Sequence, residues 1–216
     1  MLRWMRENDG VTLIEQMMSL AIGSVMILAL YGFYNSQLAH TLAQETKTAT
    51  LEDARGALDI IVRDLKNAGA WADGKAPAET GGADDPQGDA DLVCNRIYAA
   101  SASTIHVQMD LNGNGTCADA DPRENVRYEL TGPTATCPGT KIIRRNGDCL
   151  VANVTTPAAG KLFRYFDAAG EDLGDAPPPD AIKRVRIAFG VRVKNPDAKT
   201  GGAISSEIST SVGLRN

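Results

Sequence analysis

Three groups of residues in this 216-residue chain have the types and spacing to do chemistry. The first is Glu15, a carboxylate set directly before Gln16–Tyr34, a 19-residue run without a charge. A carboxylate at membrane depth costs roughly 2.5–3.5 kcal/mol on insertion scales unless it finds a cation, so its place there is a functional signal. The second is the set of four cysteines, Cys94, Cys117, Cys137 and Cys149. An even number in an exported domain reads as two disulfides. Of the three connectivities, Cys94–Cys117 with Cys137–Cys149 is favoured, because the second pair brackets residues 141–147, which can close as a hairpin. A zinc site of four thiolates is disfavoured, since no two cysteines have the close spacing such sites use. The third group is Asp110-Leu111-Asn112-Gly113-Asn114-Gly115-Thr116. Side-chain oxygens at alternate positions followed by glycine match the opening of a calcium loop. The candidate ligands are Asp110, Asn112, Asn114, Thr116 and Asp121, with Asp119 and Glu124 nearby. No helix is expected on either side, and the same residues equally suit a Gly-Asn-Gly turn. No other cofactor is called for.

Catalysis finds no support. The two histidines, His40 and His106, have no serine or cysteine partner at an activating spacing. There is no phosphate loop or dinucleotide fingerprint, and cysteines held in disulfides are not nucleophiles. The chain is read as a non-enzyme. Its 27 acidic and 22 basic residues leave a net charge of −5, which argues against a general nucleic-acid binder. One local exception is the group Lys183, Arg184, Arg186, Arg192 and Lys194, on or beside a long strand. Arg184, Arg186 and Arg192 share a face. That face is either a docking stripe or, the reading favoured by the chain's overall acidity, a solvated surface paired with acidic neighbours.

The elements that must position these groups follow from periodicity. The run Gln16–Tyr34 is long enough for a membrane helix, and Arg3 and Arg6 ahead of it favour a cytoplasmic N-terminus. Cleavage as a secretory signal near Ala39–Ala43 is the alternative. The helical pattern continues through Leu38 and Leu42. Leu51, Ala54, Leu58, Ile61, Leu65 and Ala68 then form an apolar stripe, with Glu52, Asp53, Arg55, Asp59, Arg63, Asp64 and Lys66 as its polar counterpart. Gly69 suits the C-terminal cap. A single helix over Val11–Ala68 would be roughly 87 Å long. Residues 71–91 are rich in Gly, Pro, Ala and Asp and read as a loop. Period-two segments follow around Ile105–Met109, Val126–Leu130, Leu162–Phe166, Val185–Val193 and Ile208–Leu214. The fold class is α+β: one long helix packed on an antiparallel sheet.

Gly10-Val11-Thr12-Leu13-Ile14-Glu15, followed by the apolar run, resembles the type IV prepilin signal. The resemblance implies that a dedicated prepilin peptidase cuts between Gly10 and Val11, that Val11 is N-methylated, and that Glu15 registers the subunit during assembly. The freed amine of Val11 lies one helical turn from Glu15, so the carboxylate has a partner within its own chain or in a neighbour. Major pilins usually carry Phe where this chain has Val11, which points toward minor pilins and pseudopilins. Leu51–Asp59, Arg63–Gly69, Phe163–Gly170 and Ile182–Ile187 are similar to segments of PilW-type minor pilins. The organisation implied is a leader at 1–10, a transmembrane or filament-core half-helix at 11–35, an amphipathic half at 36–69 and a β-rich head at 70–216 with an αβ loop at 71–91. The function implied is that of a minor pilin in the initiation or tip complex of a type IV pilus. Its partners would be the prepilin peptidase, other minor pilins and the major pilin, the inner-membrane assembly platform, and membrane lipid before assembly, with no nucleic acid expected. The place implied is a single pass in the inner membrane with a periplasmic head, then the surface filament. J-type pseudopilins of type II secretion share this plan. A membrane-tethered adhesin or DNA-uptake receptor is the reading from another class.

Overall fold

The computed structural model describes residues 11–71, 74, 94–114, 122–157, 160–195 and 202–215. The expected leader at 1–10, with Gly10, and most of the expected αβ loop lie outside these residues. The first element is a 55-residue helix, α1, over Leu13–Asn67. It is about 82 Å long. Its start is set by Thr12, whose backbone is extended and whose hydroxyl accepts the Glu15 N–H at 3.4 Å. Thr12 and Glu15 have the capping-box spacing, and Glu15 stands in the first turn, where the helix end is electropositive. The hydroxyls of Ser24, Thr41, Thr46 and Thr50 donate to carbonyls three or four residues back, so each polar atom is satisfied within the helix. The helix stops where expected. Gly69 has a φ of +75°, and its N–H donates to the Gln108 carbonyl at 3.0 Å. A Cβ there would also lie 2.9 Å from Arg96 Cγ, so glycine is required twice over.

The head contains two antiparallel sheets, where the sequence pattern suggested one. The first is a meander of β1 (Ile97–Ala100), β2 (Thr104–Gln108), β3 (Asn125–Thr131), β4 (Ile142–Arg145) and β5 (Asp148–Val151), each paired with the next. The β4–β5 turn is Asn146-Gly147, with φ of +50° and +91°, the doubly left-handed geometry of a tight hairpin. The Asn146 amide donates to the carbonyls of Pro122 and Asn125 and accepts the Arg127 N–H, so this turn also ties down the start of β3. The second sheet is centred on β8 (Arg184–Lys194). Strand β9 (Ala203–Gly213) pairs with β8 along its whole length. Strands β6 (Val154–Thr155) and β7 (Phe163–Phe166) share the other edge of β8. The Tyr165 hydroxyl crosses between the sheets to the carbonyls of Ser101, at 2.7 Å, and Thr104, at 3.1 Å. Burial of that phenol pushes its pKa up.

The C-terminal half of α1 packs on β8, β9 and β5. Its buried side chains are Ala54, Ala57, Ile61, Asp64 and Leu65, with Ala68 just beyond the helix end. They join Val107, Val126, Tyr128, Ile143, Phe163, Val185, Ile187 and Phe189 in one core. The stripe read from sequence is corrected in two places. Ala57 is buried where Leu51 and Leu58 are only partly covered. Asp64, assigned to the polar face, is buried, with 7% of its surface accessible. The physical reason is a partner from β4 that periodicity does not show. Asp64 Oδ2 accepts from Tyr128 Oη at 2.6 Å, Arg145 Nη2 at 2.9 Å and Arg145 Nε at 3.0 Å. The guanidinium and hydroxyl replace the water that the carboxylate loses. Desolvation, reinforced by Asp64, pushes the Tyr128 phenol far up, so it stays a donor.

Two expectations follow from this packing. Asp64→Ala leaves the Arg145 charge and the Tyr128 hydroxyl unpaired at the helix–sheet contact and should cost about 3 kcal/mol, against about 1 kcal/mol for Tyr128→Phe. Urea denaturation of the full chain in detergent measures both, and equal small losses would remove this triad from the energetics of docking. The second concerns His106 on β2, whose ring meets Tyr98 edge-on at 5.1 Å and whose Nε2 contacts Asn125 Oδ1. Burial, with help from Arg127 and against the Asn125 hydrogen bond, holds this imidazole below its ordinary value of 6.5. The unfolded chain therefore binds the proton more readily than the folded one. The contribution of His106 is full above about pH 6.5 and falls as pH drops toward the folded value. His106→Gln should flatten that acid limb in melting curves taken between about pH 5 and 7.

Candidate functional site: the bare N-terminal helix

Among the described residues, no side chain in the N-terminal half of α1 is buried. Leu13, Ile14, Met18, Ile22, Ile27 and Leu30 are 62–81% exposed, and they point to all sides of the helix. The most apolar 18 residues of α1 have a mean hydropathy of 1.8 and are wholly uncovered, so this helix is long and apolar enough to cross a membrane. Water hydrates such a surface at a cost, and the helix is compatible with a single membrane pass.

At the mouth of this segment stand Val11 and Glu15, both exposed. Glu15 sits in the first turn, at the electropositive end of the helix. Thr12 is the residue that sequence reading passed over. Its signal was present as Thr-x-x-Glu before an apolar run. By fixing the first turn, Thr12 sets the direction in which Glu15 leaves the helix.

The head holds the other candidate groups apart from this end. Cys137, in the loop before β4, is bonded to Cys149 on β5, with Cα atoms 5.8 Å apart. That is the pairing favoured from the hairpin reading. Cys94 is also in a disulfide, and Cys117 lies outside the described residues. The Asp110 loop forms a network of its own. Asp110 Oδ1 accepts the N–H groups of Gly113 at 2.7 Å and Asn114 at 3.1 Å, and Asn112 Oδ1 accepts that of Asn114 at 2.8 Å. Glu124, fully buried, takes the N–H groups of Leu111 at 2.8 Å and Asn112 at 2.7 Å on Oε1, with Asn112 Nδ2 3.2 Å from Oε2. These are the bonds of a clamped turn, with Glu124 as its anchor. Thr116 and Asp121, the remaining candidate ligands, lie outside the described residues. Among the described residues no three His, Cys, Asp or Glu side chains converge as a metal site would require.

No family model, curated protein or solved structure matches this chain. The site must therefore be read from its own geometry. That geometry offers one long apolar rod with a carboxylate at its tip, joined to a head cross-linked at Cys137–Cys149.

That cross-link carries a prediction. It closes a loop spanning 12 residues of sequence separation in the meander. Replacing both Cys137 and Cys149 with serine should lower stability by about 3 kcal/mol. Thermal melting of the full chain in detergent reads the loss. Thiol alkylation of the native protein should label neither position before reduction.

Proposed function

We propose that this chain is a pilin-like filament subunit, and specifically a minor pilin of a type IV pilus, processed after Gly10 and assembled through α1. One observation carries the reading: a continuous helix whose distal half is built into the head and whose proximal half is bare on every side, with Glu15 at its beginning. A simple tether needs about 20 apolar residues to cross a membrane and no rigid extension beyond them. Here the rod runs unbroken from the apolar segment into the head, so a force or register at one end reaches the other. In this reading lipid covers the bare half before assembly, with the head in the periplasm, and neighbouring helices cover it afterwards. Glu15 then neutralises a subunit N-terminal amine inside an apolar bundle, where an unpaired charge would be costly. The other minor pilins, the major pilin, the peptidase and the assembly platform are the partners of this reading.

The mature protein should begin at Val11 with a methylated amine, which intact-mass analysis checks. A strain lacking the protein should lose most of its major pilin from the sheared surface fraction, and a copy carrying Glu15→Ala should fail to restore it. Unchanged pilin with defective export of folded proteins would move the reading to a type II secretion pseudopilin. A surface activity retained by Glu15→Ala would indicate a monomeric tether.

A further inference from the structure

We infer that the outward face of the second sheet is a docking surface for an acidic polypeptide. Strand β8 alternates strictly: Val185, Ile187, Phe189 and Val191 are buried, while Arg184, Arg186 and Arg192 are exposed on the opposite side, together with Lys194. Over Arg184–Lys194 the strand extends about 33 Å. Its cations form two pairs, Arg184 with Arg186 and Arg192 with Lys194, separated by Ala188 and Gly190. The register brings only small or hydroxylated residues beside them from β9. Gly213 lies opposite Arg184, Ser211 opposite Arg186, Ser209 opposite Ala188 and Ser205 opposite Arg192. Packing keeps a side chain off the centre of β8, since a Cβ on Gly190 would lie 2.6 Å from Thr155 Oγ1 and 2.9 Å from the Ser206 carbonyl. The result is a face with a cationic pair at either end and Glu207 of β9 between them.

Acidic neighbours were the expected partners of these cations, yet among the described residues none forms an ion pair with them. Among the described residues, the ion pairs involve Arg127, Arg144, Arg145, Lys161 and Arg164, and none involves Arg184, Arg186, Arg192 or Lys194. Glu207 shares the face, opposite Gly190, yet pairs with none of them. Like charges two residues apart on one strand face repel, so the arrangement is relieved by an anionic partner. The class of partner follows from what else the face offers. Phe166, an aromatic ring on this face, is already flanked by the guanidiniums of Arg164 and Arg184, at 5.6 and 5.2 Å, and offers no open platform for a base. A lipid surface is out of reach. Val191 and Val193 line the same groove as Asp53 and Ala57 of α1, and from Tyr34 to Asp53 the helix runs about 28 Å. That exceeds the Debye length of about 8 Å at physiological salt. A protein surface bearing two acidic clusters fits the two cationic pairs.

The test uses the full chain in nanodiscs of zwitterionic lipid, with fluorescent poly-glutamate as the probe and a duplex DNA of matched charge as the rival. Poly-glutamate should bind, more weakly as salt rises. Arg186→Glu with Arg192→Glu should weaken that binding by about tenfold or more. Arg55→Glu with Arg63→Glu changes the net charge by the same amount on the exposed face of α1 and should leave binding unaltered. If the sheet variant melts early, Arg186→Gln with Arg192→Gln replaces it and should still bind more weakly than the unsubstituted chain. Equal losses in the sheet and helix variants, no binding of poly-glutamate by the unsubstituted chain, or a preference for DNA at this face would each overturn the inference.

Discussion

One helix face decides the layout of this protein. Ala54, Ala57, Ile61, Leu65 and Ala68 form a narrow stripe of small and branched side chains, and both sheets close upon it. The stripe begins only at about residue 54, and among the described residues none in 13–34 is buried. The same helix is therefore a core element at one end and an uncovered apolar surface at the other. The reading of the chain as a subunit that exchanges lipid for neighbouring helices rests on that division.

Around this stripe the head is secured by contacts of distant sequence origin. Asp64 reaches Arg145 and Tyr128, the Gly69 N–H reaches Gln108, and the Tyr165 hydroxyl reaches Ser101 and Thr104. Each joins two elements that local patterning describes separately. The Cys137–Cys149 bond and the Asn146 clamp do the same within the meander. The head is thus held by polar fastenings around an aliphatic core, in keeping with the sparse aromatics of the chain.

The two polar surfaces of the head have different characters. The Asp110 loop turns its carboxylates inward, and Glu124 and Asp110 hold backbone N–H groups there. The β8 face turns its cations outward, and among the described residues they enter no ion pair, Arg184 lying over the Phe166 ring.

The sequence by itself determined the long helix, its apolar and amphipathic halves and the glycine that ends it. Period 3.6, an uncharged run and Gly69 are local signals, and helices are built from local contacts. It also determined the favoured Cys137–Cys149 pairing, because a left-handed Asn-Gly turn brings its flanks together. A resemblance to a prepilin signal, with Glu15 as its last residue, was legible in six consecutive residues. Tertiary structure alone decided that the strands split into two sheets, that Asp64 is buried and Ala57 belongs to the core, and that the β8 cations form no ion pair among the described residues. Each of those depends on what a distant segment places opposite a residue. A strand pattern names its inner face but not its partner, and a carboxylate on a helix looks the same in sequence whether water or an arginine from β4 will meet it.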